Sequence, residues 1–357
     1  MERNNTQDGI GHIMDLELLH ERARIIRAVR SFFDERQYLE TDTPLLAPDL
    51  IPESCLEVFE TVKLPPQGSR KEARPYWLIP SPEIWMKKLI AAHKTDMYQI
   101  CKCFRNGESS GKFHSPEFTM LEYYTMNADY KNSLKITEEL FSCLQAVCPP
   151  ALQPYIQTPF EKTTMEDAFV KWAGFSLSEA AEEKGGLEKE AKRLGLNPRD
   201  GMEIPELYDL IFIHAVEPNI GRDRPTVLLD YPAFVPCLAK KSPDGKTTER
   251  WELYSRGLEL ANCYSEQTDP DEVRQFFINE KAEKEKHALV RHKVDDDYWK
   301  IFRGNLFPER NSFPKRNSFP KRNLFPQCSG VAMGLDRLIM ILCGRSAIDG
   351  ILPFPME

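Results

Sequence analysis

Residues 98–124 contain the feature that most restricts the fold of this chain, a charged loop between two apolar segments. The first segment ends at Phe104 and Arg105, a polar loop with two glycines covers residues 106–115, and the second segment covers residues 117–124. Two apolar segments around a glycine-containing loop predict an antiparallel hairpin. Charged side chains crowd one end of it, namely Arg105, Glu108, Lys112, His114 and Glu117. Such an end either keeps a surface hairpin soluble or faces a charged ligand, and the hairpin alone is compatible with both.

Composition excludes several classes of protein. The 357 residues carry 47 basic and 55 acidic side chains, for a net charge of −8, so the general basic balance of nucleic-acid-binding proteins is absent, although a local basic patch is compatible with this count. The polar start of the chain does not resemble a signal peptide, and no apolar run reaches the roughly 18 residues of a membrane span. The nine cysteines form no CxxC pair with metal-site spacing. We therefore expect a cytoplasmic protein with reduced, mostly buried thiols.

The first part of the chain predicts two helices and an edge strand. Residues 16–36 have apolar side chains at helical spacing, which predicts a long amphipathic helix. Alternation over residues 38–46 predicts a short strand that Pro44 confines to a sheet edge or a strand start, and such a pair suits either an ordinary surface or a dimer interface. Further along, Ser81 and Pro82 predict the N-cap and first turn of a second helix. Glu83 in that turn complements the helix dipole.

We expect residues 1–15 to be a flexible N-terminus and residues 16–357 to form one domain. Within it, helical patterns over residues about 131–217 predict a helical insertion without evident chemistry. Residues about 305–326 repeat with a period of six, as NLFPER, NSFPKR, NSFPKR and NLFP. Proline in every repeat prevents a regular helix or a central strand. The repeat therefore predicts a low-complexity duplication in a surface loop, with a basic ligand-binding repeat as the alternative.

Residues 251–266, WELYSRGLELANCYSE, predict a strand with unusual polarity. Strict alternation puts one group of side chains on the face opposite Glu259, namely Leu260, Asn262, Tyr264 and Glu266. An ordinary half-buried strand poorly explains Asn262 and Glu266 on a face with apolar neighbours. If Glu259 and Glu266 serve one pocket, a bulge or bend must intervene, for which Gly257 is the candidate.

Residues 328–340 combine a glycine-containing strand with a helix. Small side chains on one face of residues 330–334 indicate that another group approaches this backbone closely. A helix follows from about Leu335 and ends at Gly344. A helix N-terminus beside glycines suits an anion, and Arg337 in the first turn opposes the helix dipole. A phosphate explains that arginine better than a helix cap does.

These elements, in this order, resemble motifs 1, 2 and 3 of class II aminoacyl-tRNA synthetases. The motifs are the helix–strand–proline unit, the hairpin that begins Phe-Arg-x-Gly-Glu, and the strand that ends Gly-x-Asp-Arg. The segments SPE at 81–83, PEFTMLE at 116–122 and GLELANCYSE at 257–266 are similar to the lysyl branch. The resemblance covers residues from about 16 to the C-terminus. It implies an α+β protein with the class II synthetase catalytic fold, an antiparallel sheet flanked by helices.

Lysyl-tRNA synthetases carry an N-terminal OB-fold that binds the anticodon, and no room for it precedes motif 1 here. The chain is therefore similar to the freestanding lysyl-synthetase-like ligases that modify elongation factor P. The run VEPNIG at 216–221 and Ala332, where lysyl-tRNA synthetases usually have glycine, point to the same family. The resemblance implies elongation factor P as acceptor and a homodimer through the motif 1 helix and strand. We expect no membrane binding, and tRNA as a partner is disfavoured by the acidic charge.

The resemblance implies activation of lysine or (R)-β-lysine by ATP with Mg²⁺, giving an aminoacyl-adenylate and pyrophosphate. Arg105 would bridge the substrate carboxylate and the α-phosphate, while Arg337 would contact the γ-phosphate and one face of adenine. Phe118 would stack on the other adenine face, and Glu259 would hold Mg²⁺. The remaining residues of the implied ATP site are Asn106, Glu108, His114, Leu260 and Gly334.

A lysine-type substrate carries two ammonium groups, and enclosing either without a partner costs on the order of several kcal/mol. We therefore expect two carboxylates, Glu83 near the reactive-end amine and Glu266 at the ε-ammonium. Ala332 would add a methyl group near the reactive-end amine, which in this family favours (R)-β-lysine over α-lysine. The other residues of the implied pocket are Ser81, Tyr124 and Asn262.

Two features depart from the family, since the motif 2 loop is one residue longer than in typical relatives and Ser115 replaces a usual asparagine. Two other functions stay open. One is a truncated synthetase-like enzyme that lysylates tRNA or another acceptor, and the other is an inactive paralogue that acts as a binding module. Inactive paralogues usually lose a motif arginine or the metal-binding acid, whereas Arg105, Glu259 and Arg337 are all present here.

Overall fold

The structure is a computed structural model that describes residues 14–66, 68, 70–107, 111–304 and 324–354. The strands are β1 (Leu39–Glu40), β2 (Leu46–Ala47), β3 (Glu60–Lys63), β4 (Arg74–Leu78), β5 (Met97–Phe104), β6 (Glu117–Met126), β7 (Glu161–Thr164), β8 (Thr226–Pro232), β9 (Thr247–Ser255), β10 (Leu258–Ser265) and β11 (Cys328–Gly334). The helices are α1 (Leu16–Glu35), α2 (Glu83–His93), α3 (Tyr130–Leu144), α4 (Met165–Ala168), α5 (Leu177–Glu182), α6 (Gly186–Arg193), α7 (Ile204–Ile211), α8 (Pro270–His287) and α9 (Leu335–Leu342).

The strands form two sheets within these residues. The larger sheet has eight strands in the order β1-β5-β6-β11-β10-β9-β8-β7, and the smaller has the order β2-β4-β3. The larger sheet is antiparallel except at its two edges, where β1 pairs with β5 and β7 pairs with β8 in parallel. The predicted α+β class is therefore confirmed, with a mixed rather than wholly antiparallel central sheet.

Alternation along β6 separates the core from the opposite face of the sheet. Leu121 and Tyr123 are fully buried among the apolar residues of α1 and α3. Phe33 of α1 stacks on Tyr98 of β5, with ring centroids 4.7 Å apart. The next residue along β6, Tyr124, belongs to a second apolar cluster with α2 and the smaller sheet. The even-numbered residues of β6 are therefore available for a site on the face away from α1.

The predicted hairpin is confirmed as β5 and β6, which are antiparallel with Phe104 opposite Glu117. Arg105 follows the end of β5 directly, so the charged end of the hairpin lies where the strands stop. The predicted helix start is shifted by one residue, because Pro82 occupies the N-cap of α2 without a side-chain hydrogen bond. The prediction that Ser81 caps this helix is therefore wrong.

Residues 251–266 form parts of two strands rather than one. Arg256 and Gly257 make the turn between β9 and β10, with φ angles of 52° and 72°. The predicted bulge exists, but it lies at Leu260, because Glu259 is opposite Tyr254 while Ala261 is opposite Leu253. The extra residue reverses the alternation, which turns Glu259 to the same face as Glu266.

The region predicted as a helical insertion, residues about 131–217, contains two different packing environments. Helix α3 packs in the same apolar cluster as α1, and β7 extends the large sheet. Helices α4–α7 instead form a separate cluster that covers β8 and Tyr254 of β9. Most of the predicted flexible N-terminus and of the hexapeptide repeat lies outside the described residues. Within the described part of the chain, none of the helices combines the length and apolar character that crossing a bilayer requires.

Candidate active site

A cleft of about 540 Å³ opens on the face of the large sheet that points away from α1. Side chains of β6, β10 and β11 line it together with the start of α2 and part of the loop over residues 48–58. The cleft brings together most of the predicted site residues: Ser81, Glu83, Arg105, His114, Phe118, Tyr124, Glu259, Leu260, Asn262, Glu266, Ala332, Gly334 and Arg337.

Two predicted nucleotide-site residues are not among the lining residues. Glu108 lies outside the described residues. The structure places Asn106 beside the cleft, where its Nδ2 donates to the Val58 carbonyl oxygen at 3.3 Å and its backbone N–H donates to the Glu57 carbonyl oxygen at 2.9 Å. Asn106 therefore ties the end of β5 to the loop over residues 48–58.

Two arginines and an aromatic ring occupy one end of the cleft. The Arg105 guanidinium carbon lies 5.3 Å from the centroid of the Phe118 ring. Arg337 donates from Nη1 to the Glu259 carbonyl oxygen at 2.9 Å and from Nε to the Phe113 carbonyl oxygen at 3.3 Å. These carbonyl groups orient the Arg337 guanidinium without cancelling its charge. The combination suits a phosphate chain attached to a flat ring.

Glu259 is the carboxylate at this end. Burial raises the pKa of the Glu259 carboxyl from 4.5 to about 7, the charge of Glu252 adds to the rise, and Arg337 and Arg105 oppose it. The described residues contain no group of three His, Cys, Asp or Glu side chains that could hold a metal. Glu259 could hold a Mg²⁺ ion whose shell is completed by phosphate oxygens and water, the usual arrangement of Mg²⁺ with nucleotides.

Glu252, the neighbour of Glu259, is already engaged. Its carboxylate accepts hydrogen bonds from the hydroxyl groups of Tyr231 at 2.5 Å and Tyr254 at 2.8 Å, and from Arg250 Nη2 at 2.5 Å. This network was not predicted, because its members come from two strands whose pairing the sequence does not reveal. It leaves Glu259 as the carboxylate at this end whose side chain has no ion pair among the described residues.

The other end of the cleft holds an internal ion-pair cluster. Lys87 of α2 places Nζ 2.6 Å from Glu83 Oε1 and 2.7 Å from Glu266 Oε2, and Lys87 is only 1 % exposed. Burial tends to lower the pKa of Lys87, but the charges of Glu266 and Glu83 outweigh it and raise the pKa well above its usual value. Burial also raises the pKa of Glu266 to about 7, against the opposing effect of Lys87. The two predicted carboxylates are thus held by a lysine that sequence analysis missed.

Gly330 makes room for this cluster. A Cβ atom at this position would lie 2.5 Å from Glu266 Oε1 and 2.5 Å from Tyr124 Cε1. Gly330 lies on β11 opposite Tyr124 of β6 and Tyr264 of β10. The prediction that another group approaches this backbone closely is confirmed, since both approaching groups are predicted site residues.

Neutral polar groups complete this end of the cleft. Tyr124 donates from its hydroxyl to Glu122 Oε1 at 2.7 Å, and burial raises the pKa of Glu122 well above its usual range. Among the described residues, Glu122 Oε2 and Asn262 Oδ1 have no hydrogen-bond partner although both atoms are buried. Ala332 lies between them, opposite Glu122 on β6 and Asn262 on β10. These acceptors suit a second ammonium group of a ligand.

The chain is similar to known proteins over most of its length. Residues 15–308 and 321–357 match the family described as tRNA synthetases class II (D, K and N). The gap between the two matched segments lies within the hexapeptide repeat. Similar proteins include several named elongation factor P–(R)-β-lysine ligase. The identity is 34 % in Avibacterium paragallinarum and 32 % in Pasteurella multocida, with 96 % of each chain covered, and 33 % in Pectobacterium atrosepticum, with 95 % of each covered.

Proposed function

The chain belongs to the class II tRNA synthetases of the D, K and N group, and on that premise we propose that it is an ATP-dependent ligase for elongation factor P. It activates lysine or (R)-β-lysine as an aminoacyl-adenylate and transfers the aminoacyl group to a lysine side chain of the acceptor. The observation that carries this proposal is a single cleft with Arg105 and Arg337 at one end and the Glu83–Lys87–Glu266 cluster at the other.

The anionic partners of the first step meet at Arg105. The carboxylate of the amino acid attacks the α-phosphate of ATP, a P–O bond to the β-phosphate breaks, and pyrophosphate leaves with the electron pair. Because both reactants are anions, a fixed guanidinium between them lowers the barrier electrostatically. Arg337 holds the phosphate chain from the first turn of α9, and Phe118 offers the stacking surface for adenine. No side-chain nucleophile is required, since orientation of the reactants carries the step.

Mg²⁺ fits this end of the cleft. Bound with the triphosphate, it would offset the charge of the phosphates and polarise them. Glu259 would be its ligand, because the Glu252 carboxylate is already engaged by two tyrosines and an arginine. Leu260 and Gly334 lie beside Arg337 as backbone neighbours, since Gly334 precedes α9 and the Leu260 carbonyl oxygen faces it. His114 lines the same end.

The amino-acid end recognises a substrate with two amines. Glu83 and Glu266 both contact Lys87, and each carboxylate has a second oxygen for the ligand, so Glu83 accepts from the reactive-end amine and Glu266 from the ε-ammonium. The buried acceptor atoms of Glu122 and Asn262 add hydrogen-bond acceptors for the reactive-end amine, and Ser81 closes the pocket beside Glu83. Ala332 lies between those acceptors, and its methyl group favours (R)-β-lysine, whose amine is one carbon farther from the carboxylate.

We propose that the protein forms a homodimer through α1 and β1. Leu16 of α1 and Leu39 of β1 are 69 % and 52 % exposed, which leaves apolar area for a partner. We also propose a cytoplasmic location, which is consistent with nine cysteines that form no disulfide. The names of the relatives given above include elongation factor P, and these names support a protein acceptor here. A tRNA acceptor would call for a basic surface, which the acidic net charge does not favour.

The acceptor is tested by supplying radiolabelled lysine or (R)-β-lysine with ATP and following the label. We expect label on elongation factor P, and not on tRNA, when both are present. A variant of elongation factor P in which the acceptor lysine is replaced by arginine is the matched control and should stay unlabelled. Label on tRNA alone would favour the truncated-synthetase alternative, and the absence of any adenylate would favour an inactive paralogue.

A further inference from the structure

The loop over residues 48–58 forms one wall of the cleft, and we call it the wall loop. Ile51, Glu53, Cys55 and Leu56 of this loop line the same cleft as Arg105 and Glu83. The sequence of this loop predicts no function, because it contains no recognisable motif. Its position is nevertheless fixed by contacts from three parts of the chain.

Helix α8 holds the middle of the wall loop. Lys284 Nζ donates to the carbonyl oxygens of Glu53 at 2.9 Å and Leu56 at 2.5 Å. Glu280 Oε2 accepts a hydrogen bond from the Ser54 N–H at 2.9 Å. Both α8 side chains are almost fully buried, so these bonds are shielded from water. Helix α8 therefore binds both polar groups of the peptide bond between Glu53 and Ser54.

The two ends of the wall loop are held as well. Leu50 pairs with Val294 in an isolated bridge, and its N–H donates to the Lys293 carbonyl oxygen at 2.9 Å. Glu57 accepts hydrogen bonds from the N–H groups of Leu289 at 2.8 Å and Val290 at 3.0 Å. A loop fixed at its ends and middle keeps its side chains in a defined direction.

The carboxylates in and around the wall loop differ in their hydrogen-bond partners. Those of Glu57 and Glu280 accept backbone hydrogen bonds and hold the loop in place. The Glu53 carboxylate has no hydrogen bond or ion pair among the described residues. It lines the same cleft as Arg105 and Glu83, and the charges of these two residues shift its pKa in opposite directions. In the proposed reaction, Arg105 contacts the α-phosphate and Glu83 contacts the reactive-end amine. The acyl carbon would lie between those two groups, in the cleft that Glu53 also lines.

We propose that Glu53 is the general base of the transfer step, which accepts a proton from the ε-ammonium group of the acceptor lysine. This inference rests on the proposed function and concerns its second half-reaction. A lysine amine has an ordinary pKa of about 10.4, so nearly all of it is protonated and non-nucleophilic at neutral pH. Proton removal by a placed carboxylate is therefore worth a substantial rate factor.

The acceptor ammonium gives one proton to a Glu53 carboxylate oxygen, and the freed nitrogen lone pair forms a C–N bond with the acyl carbon of the adenylate. The C–O bond to the phosphate then breaks, and AMP leaves with that electron pair. The new amide nitrogen releases its second proton to water at the mouth of the cleft. Glu53 returns its proton to water before the next turnover.

The charge environment supports this role. The pKa of the Glu53 carboxyl is raised to about 7, chiefly by burial and with a contribution from the charges of Glu83 and Glu280, while Arg105 and Lys284 oppose the rise. A carboxylate whose pKa lies near neutral pH is a better base than an ordinary one and is still partly ionised.

The neighbouring thiol does not offer an alternative base. Burial and the charges of Glu53 and Glu280 raise the pKa of Cys55 to about 11. Cys55 is therefore a protonated thiol at neutral pH, and it serves neither as a base nor as a nucleophile for the acyl group.

The test separates the two half-reactions in Glu53→Gln. The wild type and the variant are loaded with ATP and the amino acid, the adenylate is isolated on the enzyme, and elongation factor P is added in a single turnover. We expect transfer to fall by about 100-fold or more. Lysine-dependent exchange of pyrophosphate into ATP should stay within about twofold of wild type, because its chemistry does not use the base. Glu280→Gln is the matched control, since it removes a nearby charge while keeping an oxygen for the Ser54 N–H, and it should lower transfer only slightly through the pKa of Glu53.

Hydroxylamine supplies a second readout from the same variant. It is uncharged at neutral pH and needs no base, so hydroxamate formation from the adenylate should be equal in wild type and Glu53→Gln. The transfer defect should also shrink as the pH rises, because the acceptor amine then loses its proton to solvent.

Three results would overturn the inference: unchanged transfer in Glu53→Gln, an equal loss in Glu280→Gln, or an equal loss with hydroxylamine. Failure of wild-type exchange would instead overturn the proposed function together with this inference, so the two failures are distinguishable.

Discussion

Glu259 and Glu266 are two glutamates of one polypeptide segment that reach opposite ends of one cleft. Burial raises the pKa of each to about 7. The two carboxylates differ in how the nearest cationic side chain contacts them. Lys87 contacts Glu266 directly at 2.7 Å, whereas Arg337 binds the backbone carbonyl oxygen of Glu259 and leaves its carboxylate without an ion pair among the described residues. The amino-acid end thus carries its own counter-ion, and the nucleotide end does not.

The difference shows how each end is prepared for its ligand. At the nucleotide end, the Glu259 carboxylate has no ion pair among the described residues, which suits a ligand that brings a metal ion. At the amino-acid end, an unpaired couple of buried carboxylates would protonate or repel one another. Lys87 opposes the rise that burial causes in the pKa of Glu266 and fixes the separation of the two carboxylates, at the cost of one charge that the substrate could otherwise have neutralised.

The largest expected effect is at the nucleotide end. We predict that Arg105→Ala lowers the rate of adenylate formation by about 1000-fold or more, because the two reacting anions lose the cation between them. The measurement is amino-acid-dependent exchange of pyrophosphate into ATP. Arg199→Ala is the control, since Arg199 is an exposed arginine in the region of α6 and α7. Near-normal exchange in Arg105→Ala would show that Arg105 does not lie between the reacting anions at the nucleotide end.

The internal counter-ion is tested by Lys87→Met, which keeps the length of the side chain and removes its charge. Removing one partner of a buried ion pair costs about 3–5 kcal/mol, and we expect a loss of unfolding free energy in that range. Lys88→Met on the same helix is the control, because Lys88 is partly exposed and its ion pair with Asp295 is worth less. The two variants are compared by urea unfolding, and equal losses would argue against a special role for Lys87.

The space around the carboxylates is tested by Gly330→Ala. The added methyl group would collide with Glu266 and Tyr124, so we predict that KM for the amino acid rises by roughly 100-fold while the affinity for ATP changes little. Gly350→Ala is the matched control, because a Cβ atom there meets only the Arg345 side chain at 3.7 Å. A parallel rise in KM for ATP would mean that the substitution disturbs the sheet rather than one end of the cleft.

The smallest expected effect is a change of stability with pH. Glu53, Glu259 and Glu266 have folded-state pKa values of about 7 instead of the usual 4.5. Between these values the folded state binds more protons than the unfolded state, so their contribution to stability is present below about pH 4.5 and is lost as the pH rises through 7. We predict that Tm of the ligand-free protein falls over this range.

The same measurement on Glu266→Gln should give a flatter dependence of Tm on pH, because one of the three groups no longer titrates. Glu188→Gln, at an exposed glutamate of α6, is the control and should keep the wild-type slope. A Tm that rises between pH 4.5 and 7 in the wild type would contradict the assigned direction of the shifts.

Sequence analysis located much of this site because the relevant residues lie in motifs with a chemical requirement. Arg105, Arg337, Glu83 and Glu266 were assigned through the resemblance to the synthetase motifs, and their charges are those that a nucleotide and a diamine must meet. Lys87 was missed because a lysine four residues after a glutamate is also typical of an exposed helix face. Only tertiary packing, with Glu266 arriving from β10, makes that pair internal.

The fold was predictable to the same extent. The hairpin, the first helix and the strand–helix unit at Gly334 are local, so their patterns were sufficient. The need for a bulge followed from the alternation of residues 259–266, but its position at Leu260 depends on the pairing with β9. Glu53 was missed because its importance comes from a loop that α8 holds against the cleft, more than 200 residues away in sequence.

The most direct test of the central claim is the amino-acid dependence of pyrophosphate exchange in the wild-type protein. Lysine, (R)-β-lysine and norleucine are compared with ATP and Mg²⁺, since norleucine keeps the carbon chain but lacks the side-chain amine. A cleft that joins an arginine end to a carboxylate end predicts exchange with lysine or (R)-β-lysine and almost none with norleucine. Equal exchange with norleucine, or none with either diamine, would contradict the account.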